Sequence, residues 1–174
     1  MSAHLARLKA ESLYERLGNN TMPVDVYGIA RKLGLMITET NLGGEISGML
    51  ISNAGATHIF VEIENHKHRK RFSVGHEIGH FYLGHQSQRG EHVIIDRGYL
   101  ISKRDSKAST GQNQKEVEAN QFSSSLLMPS KLLRQKVKEV GGLPLHDYQV
   151  AELVEIFDVS EQAMMYRLQN LGLL

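Results

Sequence analysis

The chain has 174 residues, with 20 Lys and Arg against 19 Asp and Glu for a formal net charge of +1, and no cysteine. That length buries a full core without staples, and the balanced charge supplies no global field for nucleic acid or a membrane surface. The missing cysteines remove disulfides, thiolate metal sites and cysteine nucleophiles together, which leaves His and carboxylate as the strong metal ligands and fits a reducing cytoplasm.

Residues 3–17 place Leu5, Leu8, Leu13 and Leu17 roughly on one side of a helix that Gly18, Asn19 and Asn20 stop. Charge interrupts this stretch every few residues, so it reads as neither a secretory signal nor a membrane span, and no other apolar run is long enough to be one. Pro23, Val24 and Asp25 begin a second helix with Val26, Ile29, Ala30 and Leu33 on one face. Gly34 ends it before a first strand at Leu35, Met36 and Ile37. From Gly43 the period changes, and 48–51 and 58–63 read as two strands of a hairpin turning at Asn53, Ala54 and Gly55. At least one strand should lie beside the helix expected at 72–85, where an exposed edge could grip an extended polypeptide by main-chain hydrogen bonds. An ordinary sheet packed under a helix fits the same pattern.

A basic run comes next, His66, Lys67, His68, Arg69, Lys70 and Arg71, whose default reading is a solvated face and whose functional reading is an anion or nucleic-acid patch. Residues 72–85 then read as a helix carrying His76-Glu77-Ile78-Gly79-His80. Four residues advance a helix by slightly more than one turn, so His76 and His80 emerge on one face and can converge on one metal ion. Glu77 falls beside that ion, where a carboxylate can take a proton from an attacking water. In a chain with 9 His and 14 Glu the chance expectation of such a motif is about 0.04.

Gly75 and Gly79 each cost about 1 kcal/mol relative to Ala inside a helix. Their spacing predicts a bare stripe for the close approach of another element. His85 has three readings: a ligand, a hydrogen-bond partner of a ligand, or a C-terminal helix residue favoured by the helix dipole, and the last is preferred. A third histidine at the metzincin offset would stand at Gln86, which disfavours that class. Val93, Ile94 and Ile95 form a short apolar segment, and 102–115, with no large apolar residue, reads as a loop.

Residues 116–129 read as a second helix that opens with two carboxylates. A Glu facing the first helix would complete a His-His-Glu site with a fourth position open to water. Glu116 and Glu118 lie about 200° apart on a helix, so only one can be that ligand. At the C-terminus, 129–140 reads as a basic amphipathic helix, and 147–157 with 160–169 as a helix-turn-helix pattern closed by Leu153, Phe157, Met164 and Leu168. From Asp147 onward five acids (Asp147, Glu152, Glu155, Asp158 and Glu161) face the single base Arg167, a balance that argues against phosphate contacts.

Three blocks in order, 71–80, 116–122 and Leu126-Leu127-Met128-Pro129, together with Pro23-Val24-Asp25-Val26, make most of the chain resemble the ImmA/IrrE family of zinc metallopeptidases. The resemblance implies one zinc ion per chain. In gluzincin-type peptidases the third ligand heads a Glu-x-x-Ala/Ser-Asp/Asn pattern, which selects Glu116 with Ala119 and Asn120, and leaves Glu118 as the fallback. Ser123, Ser124 and Ser125 stand where the family usually has small Ala-rich residues. The resemblance also implies cleavage of a transcriptional repressor of the helix-turn-helix type in a phage, mobile-element or stress switch.

The expectation is therefore an α+β protein with a small, twisted, mainly antiparallel sheet packed on a central motif helix. A metallopeptidase domain over 1–128 would carry a helical C-terminal segment over 129–174. His76, His80 and Glu116 would hold zinc and Glu77 would act as general base, with Tyr82, His92, Arg97 and Tyr99 as unassigned candidates to stabilise an oxyanion. The partner would be a protein, a DNA-binding repressor, with no direct contact to nucleic acid or membrane. A catalytically silent, metal-binding protein that docks a repressor without cutting it is the alternative, and a nucleic-acid binder using 66–71 and the C-terminal helices the third reading.

Overall fold

The computed structural model describes residues 2–18, 21–53, 55–85, 92–96 and 110–174, with the backbone alone at 92–96 and 110–113. The expected contributions of Arg97, Tyr99, the His92 side chain and the stretch 102–109 lie outside the described residues, as do Asn19, Asn20 and Ala54. The elements run α1 (Ala3–Leu17), α2 (Val26–Lys32), β1 (Met36–Thr40), β2 (Gly48–Asn53), β3 (Ala56–Glu62), α3 (Lys67–Leu83), β4 (His92–Asp96), α4 (Thr110–Leu127), α5 (Ser130–Glu139), α6 (Asp147–Phe157) and α7 (Glu161–Asn170).

Local signals account for most boundaries. Ser2 accepts from the Leu5 N–H and starts α1, Asp25 accepts from the Gly28 N–H at 2.8 Å and starts α2, and Gly34 leaves α2 with φ +77°. The buried face of α1 differs from the leucine stripe. Ala6, Ala10, Leu13 and Tyr14 are buried, whereas Leu5 and Leu8 are 41% and 48% exposed. α1 packs on α4, and close helix contact selects the small side chains of Ala6 and Ala10 over longer leucines.

The sheet has the order β1-β3-β2-β4. β1 and β3 are parallel, while β2 runs antiparallel to both β3 and β4, so the sheet is mixed and mainly antiparallel. The hairpin closes at Asn53 and Ala56. The open edge is not on β2, because β4 pairs along it from Gly48 opposite Asp96 to Ser52 opposite His92; among the described residues β4 is the outer strand on this side and β1 on the other. Leu50, Ile59 and Val61 point from the sheet into the core they share with Val74 and Ile78 of α3.

α3 is the central element, lying against β2, β3, α2 and α4. It begins at Lys67, so the basic run forms its first turns. α4 also begins earlier than expected, at Thr110, and the helix formers Gln114 and Lys115 are exposed there, so that turn needs no apolar partner. The two helices meet across the glycine stripe. A Cβ at Gly79 would stand 3.2 Å from the Ala119 backbone and from the Phe122 Cβ, and one at Gly75 would stand 2.5 Å from the Ser123 Oγ. Ser123 and Ser125 are fully buried, and Ser123 donates to the Phe72 carbonyl at 2.8 Å, so serine serves the packing here and ties α4 to α3.

The C-terminal helices share the same core: Leu133, Val137, Leu153, Phe157, Met164 and Leu168 are buried in the cluster that holds Leu13, Phe122 and Leu126. Arg167 is fully buried and donates to the Met128 carbonyl and to Glu11, both at 2.9 Å, which ties α7 to α1 and to the α4–α5 junction. Among the described residues no helix is long and apolar enough to cross a membrane.

Candidate metal centre

One turn of α3 brings the two motif histidines together, and the shaved α3–α4 contact brings a carboxylate to them. The Nε2 atoms of His76 and His80 lie 2.9 Å apart. Glu116 reaches both, with one oxygen 3.2 Å from the His76 Nε2 and the other 3.4 Å from the His80 Nε2. One ligand atom from each residue falls within 4.8 Å of the others, a group that could hold a metal ion. The histidines are buried and the Glu116 side chain is 38% exposed, so the cluster faces outward on the carboxylate side.

The Glu-x-x-Ala-Asn pattern acquires a physical reading residue by residue. Glu116 meets the histidines, the Ala119 backbone lies so close to Gly79 that a Cβ on that glycine would force the helices apart, and Asn120 holds His76 in orientation. The Asn120 Oδ1 is 2.9 Å from the His76 Nδ1. An amide oxygen only accepts, so the imidazole donates from Nδ1 and its Nε2 is left as a lone pair aimed at the cluster. Burial pushes the Glu116 carboxyl up, but protons on the two histidines, whose place a bound cation would take, outweigh burial and hold it well below the usual carboxylate range. An ionised Glu116 is the form a metal needs.

Glu77 is fully buried on the same helix, beside β2. Gly48, the first residue of β2, comes so close that a Cβ there would lie 3.1 Å from a Glu77 carboxylate oxygen and 3.3 Å from the Ser73 Cβ. Ser47, immediately before it, accepts two hydrogen bonds from Arg69 at 3.1 and 2.9 Å. Glu62, also buried, accepts from the backbone N–H groups of Leu42 and Gly44. The segment leading to Gly48 is thus held from two sides.

Glu118 does not join the cluster. It is buried with its carboxylate on His85, whose Nε2 is 3.0 Å away, while the Nδ1 of His85 is 3.0 Å from the Nδ1 of His80. His85 is not a C-terminal helix residue either. Gly84 adopts φ +71°, and the N–H of His85 turns back to bond the His80 carbonyl at 3.0 Å, so the imidazole folds over the helix it has just left. Burial is the main cause pushing the His85 imidazole down from its ordinary value, with the neighbouring His80 adding to it against Glu118. The sequence signal was Gly84 followed directly by a histidine. Tyr82 packs on the Phe122 ring at 5.7 Å and under the Arg16 guanidinium, a structural setting.

The basic run is solvated at His66 and Lys67 and half-buried from His68 to Arg71. Lys67, His68 and Arg71 converge on Asp158 at the end of α6, at 2.6, 3.1 and 3.4 Å, and Arg71 also donates to the carbonyls of Asp158 and Val24. Lys70 pairs with Glu39 at 2.8 Å. Asp158 has φ +50°, a left-handed conformation that Asp tolerates better than most side chains. Two cationic side chains and one imidazole from the first turns of α3 are spent on one carboxylate of the C-terminal segment.

With this geometry in place, comparison with known proteins is decisive about kinship. Residues 30–169 match the profile of a peptidase family described as the IrrE N-terminal-like domain. The chain belongs to the ImmA/IrrE family. It is also similar to the metallopeptidase ImmA of Bacillus subtilis (strain 168), at 22% identity over 164 residues, which cover 94% of this chain and 84% of that protein. The family match runs from within α2 to within α7, and so takes in His76, His80, Glu116, Asp158 and Arg167 together.

Proposed function

We propose that the protein is a zinc-dependent endopeptidase that cleaves a DNA-binding transcriptional repressor in the cytoplasm. The observation that carries the chemistry is the convergence of the His76 Nε2, the His80 Nε2 and the Glu116 carboxylate on one point. With the His76 Nδ1 donating to Asn120, lone pairs meet lone pairs at close range, an arrangement that a cation relieves. Two imidazoles and one carboxylate, without thiolate, match the donor set of catalytic zinc.

His76, His80 and Glu116 would hold one zinc ion, which when bound supplies a Lewis acid that polarises a carbonyl and acidifies water. Glu77 takes the proton of the attacking water and delivers it to the leaving amine. Its burial between α3 and β2 fixes its carboxylate and limits competing exchange with bulk water. β4, as the outer strand beside β2, is the natural place for an extended segment of substrate to add by main-chain pairing. In this reading residues 1–128 carry the chemistry, and 129–174 brace the motif helix through Asp158 and tie to α1 and the α4–α5 junction through Arg167.

Family membership supports a metallopeptidase of the ImmA type, and a repressor as substrate is our extension of it. The engagement of these particular cations supports a protein partner over nucleic acid: Arg167 is buried, and Lys67 and Arg71 are engaged by Asp158, while Asp147, Glu152, Glu155 and Glu161 remain exposed. The test is incubation of the purified chain and zinc with the helix-turn-helix repressor encoded beside its gene. Fragments should appear, vanish with a chelator, and fall by about 10²- to 10⁴-fold with Glu77→Gln. An intact repressor retained on the wild-type protein would establish docking without cleavage instead.

A further inference from the structure

We propose that Glu118 and His85 are positioning residues for the metal site: a buried relay that fixes which nitrogen of His80 is offered to the ion. The inference rests on the reading that His76, His80 and Glu116 hold zinc, and it adds two residues which that reading does not use.

The hydrogen-bond directions follow from what each group can do. Glu118 is 2% exposed and accepts at both oxygens, from the Gln114 side-chain amide at 3.0 Å and from His85 at 3.0 Å. A carboxylate only accepts, so the His85 Nε2 carries a hydrogen. The other nitrogen of a neutral His85 is then a lone pair, and it lies 3.0 Å from the His80 Nδ1, which must be the donor. His80 therefore presents a bare Nε2 to the cluster. The reverse tautomer would place a hydrogen on the atom that must ligate.

Local structure explains why His85 can do this. The glycine turn at Gly84 and the bond from the His85 N–H to the His80 carbonyl return the chain over the last turn of α3, and Lys115 holds the His85 carbonyl from α4 at 3.0 Å. Where this kind of helix terminus usually brings two apolar side chains together, it brings two imidazoles. A buried carboxylate is costly unless it is fully engaged, and one oxygen of this one is engaged by a histidine that touches a ligand. His76 is oriented by the neutral amide of Asn120, so the two histidines are set by devices of different charge.

The test uses the full-length protein stripped of metal, with zinc affinity measured by chelator competition and the site geometry read from the absorption spectrum of the cobalt(II) form. His85→Leu should weaken zinc about 10- to 100-fold and Glu118→Gln, which keeps the shape and removes the charge, about 10-fold. His85→Gln, whose amide can accept and donate at similar separation, should restore most of the loss and the wild-type cobalt spectrum. A merely structural role would lower the melting temperature of the metal-free protein and leave zinc affinity and spectrum unchanged, and that result in the folded variants overturns the proposal. If His85→Leu does not fold, Glu118→Gln decides alone. A wild-type chain that takes up no zinc would instead overturn the reading on which the relay rests.

Discussion

The two ends of α3 use similar residues to opposite effect. In its first turns Lys67, His68 and Arg71 surround one acid, Asp158, so donors meet acceptors and the group is electrostatically closed. One turn further on, neutral His76 and His80 would point acceptors at the acceptor Glu116, a group that a cation would close. A count of His, Lys and acid residues does not distinguish them. Hydrogen-bond direction does: a cluster of charge is a brace where donors and acceptors alternate, and a ligand site where lone pairs converge.

The largest effect expected from disturbing this contrast is at Gly79, which lies on the metal-site side. A Cβ there meets the Ala119 backbone at 3.2 Å, and backbone yields poorly. Gly79→Ala should cost about 1–3 kcal/mol by overpacking and, by moving α4, displace Glu116. Both the thermal midpoint and zinc binding should drop; zinc binding as tight as in the wild type would show that α4 is not what positions the carboxylate.

Next is Asp158→Asn, which removes the charge but suits the left-handed conformation at φ +50°. It should cost about 1–2 kcal/mol, since partial exposure screens the pairs, and leave zinc affinity unchanged. Burial pushes the Asp158 carboxyl up, but Lys67, Arg71 and His68 outweigh burial and hold it below its ordinary value. A depressed acid contributes stability that is complete above its unfolded pKa, about 3.9, and is lost as pH falls through the lower folded value. Melting curves should therefore show the full gap between wild type and Asp158→Asn above that range and a closing gap below it. A zinc defect in this variant would erase the distinction between the two ends.

Gly48→Ala should be milder. Its Cβ would lie 3.1 Å from the Glu77 carboxylate oxygen, so kcat should fall about tenfold with zinc affinity unchanged, as kinetics and metal titration on one sample would reveal. Lys67→Ala is expected to be the smallest perturbation. Its side chain is 62% exposed, and the melting temperature should not move measurably.

What was legible in the sequence is what helix geometry fixes locally. The spacing of His76 and His80 gives a shared face wherever the helix sits, and Gly75 with Gly79 gives a close contact whatever fills it. Helix angle alone left Glu116 and Glu118 open and the Glu-x-x-Ala-Asn resemblance favoured Glu116; the rotation of α4 against α3 puts Glu116 beside His76 and His80 and Glu118 beside His85. His85 was misread because the dipole argument assumes the helix continues, whereas Gly84 reverses the chain. Leu5 and Leu8 misled because hydrophobicity was weighed above size, although close helix packing prefers Ala6 and Ala10. The basic run could not be read as a brace because its acid lies just past another helix near the other end of the chain, and sequence displays charges without their partners.

The most direct test is zinc titration of the metal-free full-length chain beside His80→Ala, Glu116→Ala and Asp158→Asn. We expect one zinc ion per wild-type chain, with the ion lost in both metal-end variants and retained at wild-type affinity in Asp158→Asn. Zinc bound equally well by folded His80→Ala or Glu116→Ala, or no uptake by the wild type, would contradict the assignment of the converging lone pairs on α3 and α4 to a metal ion.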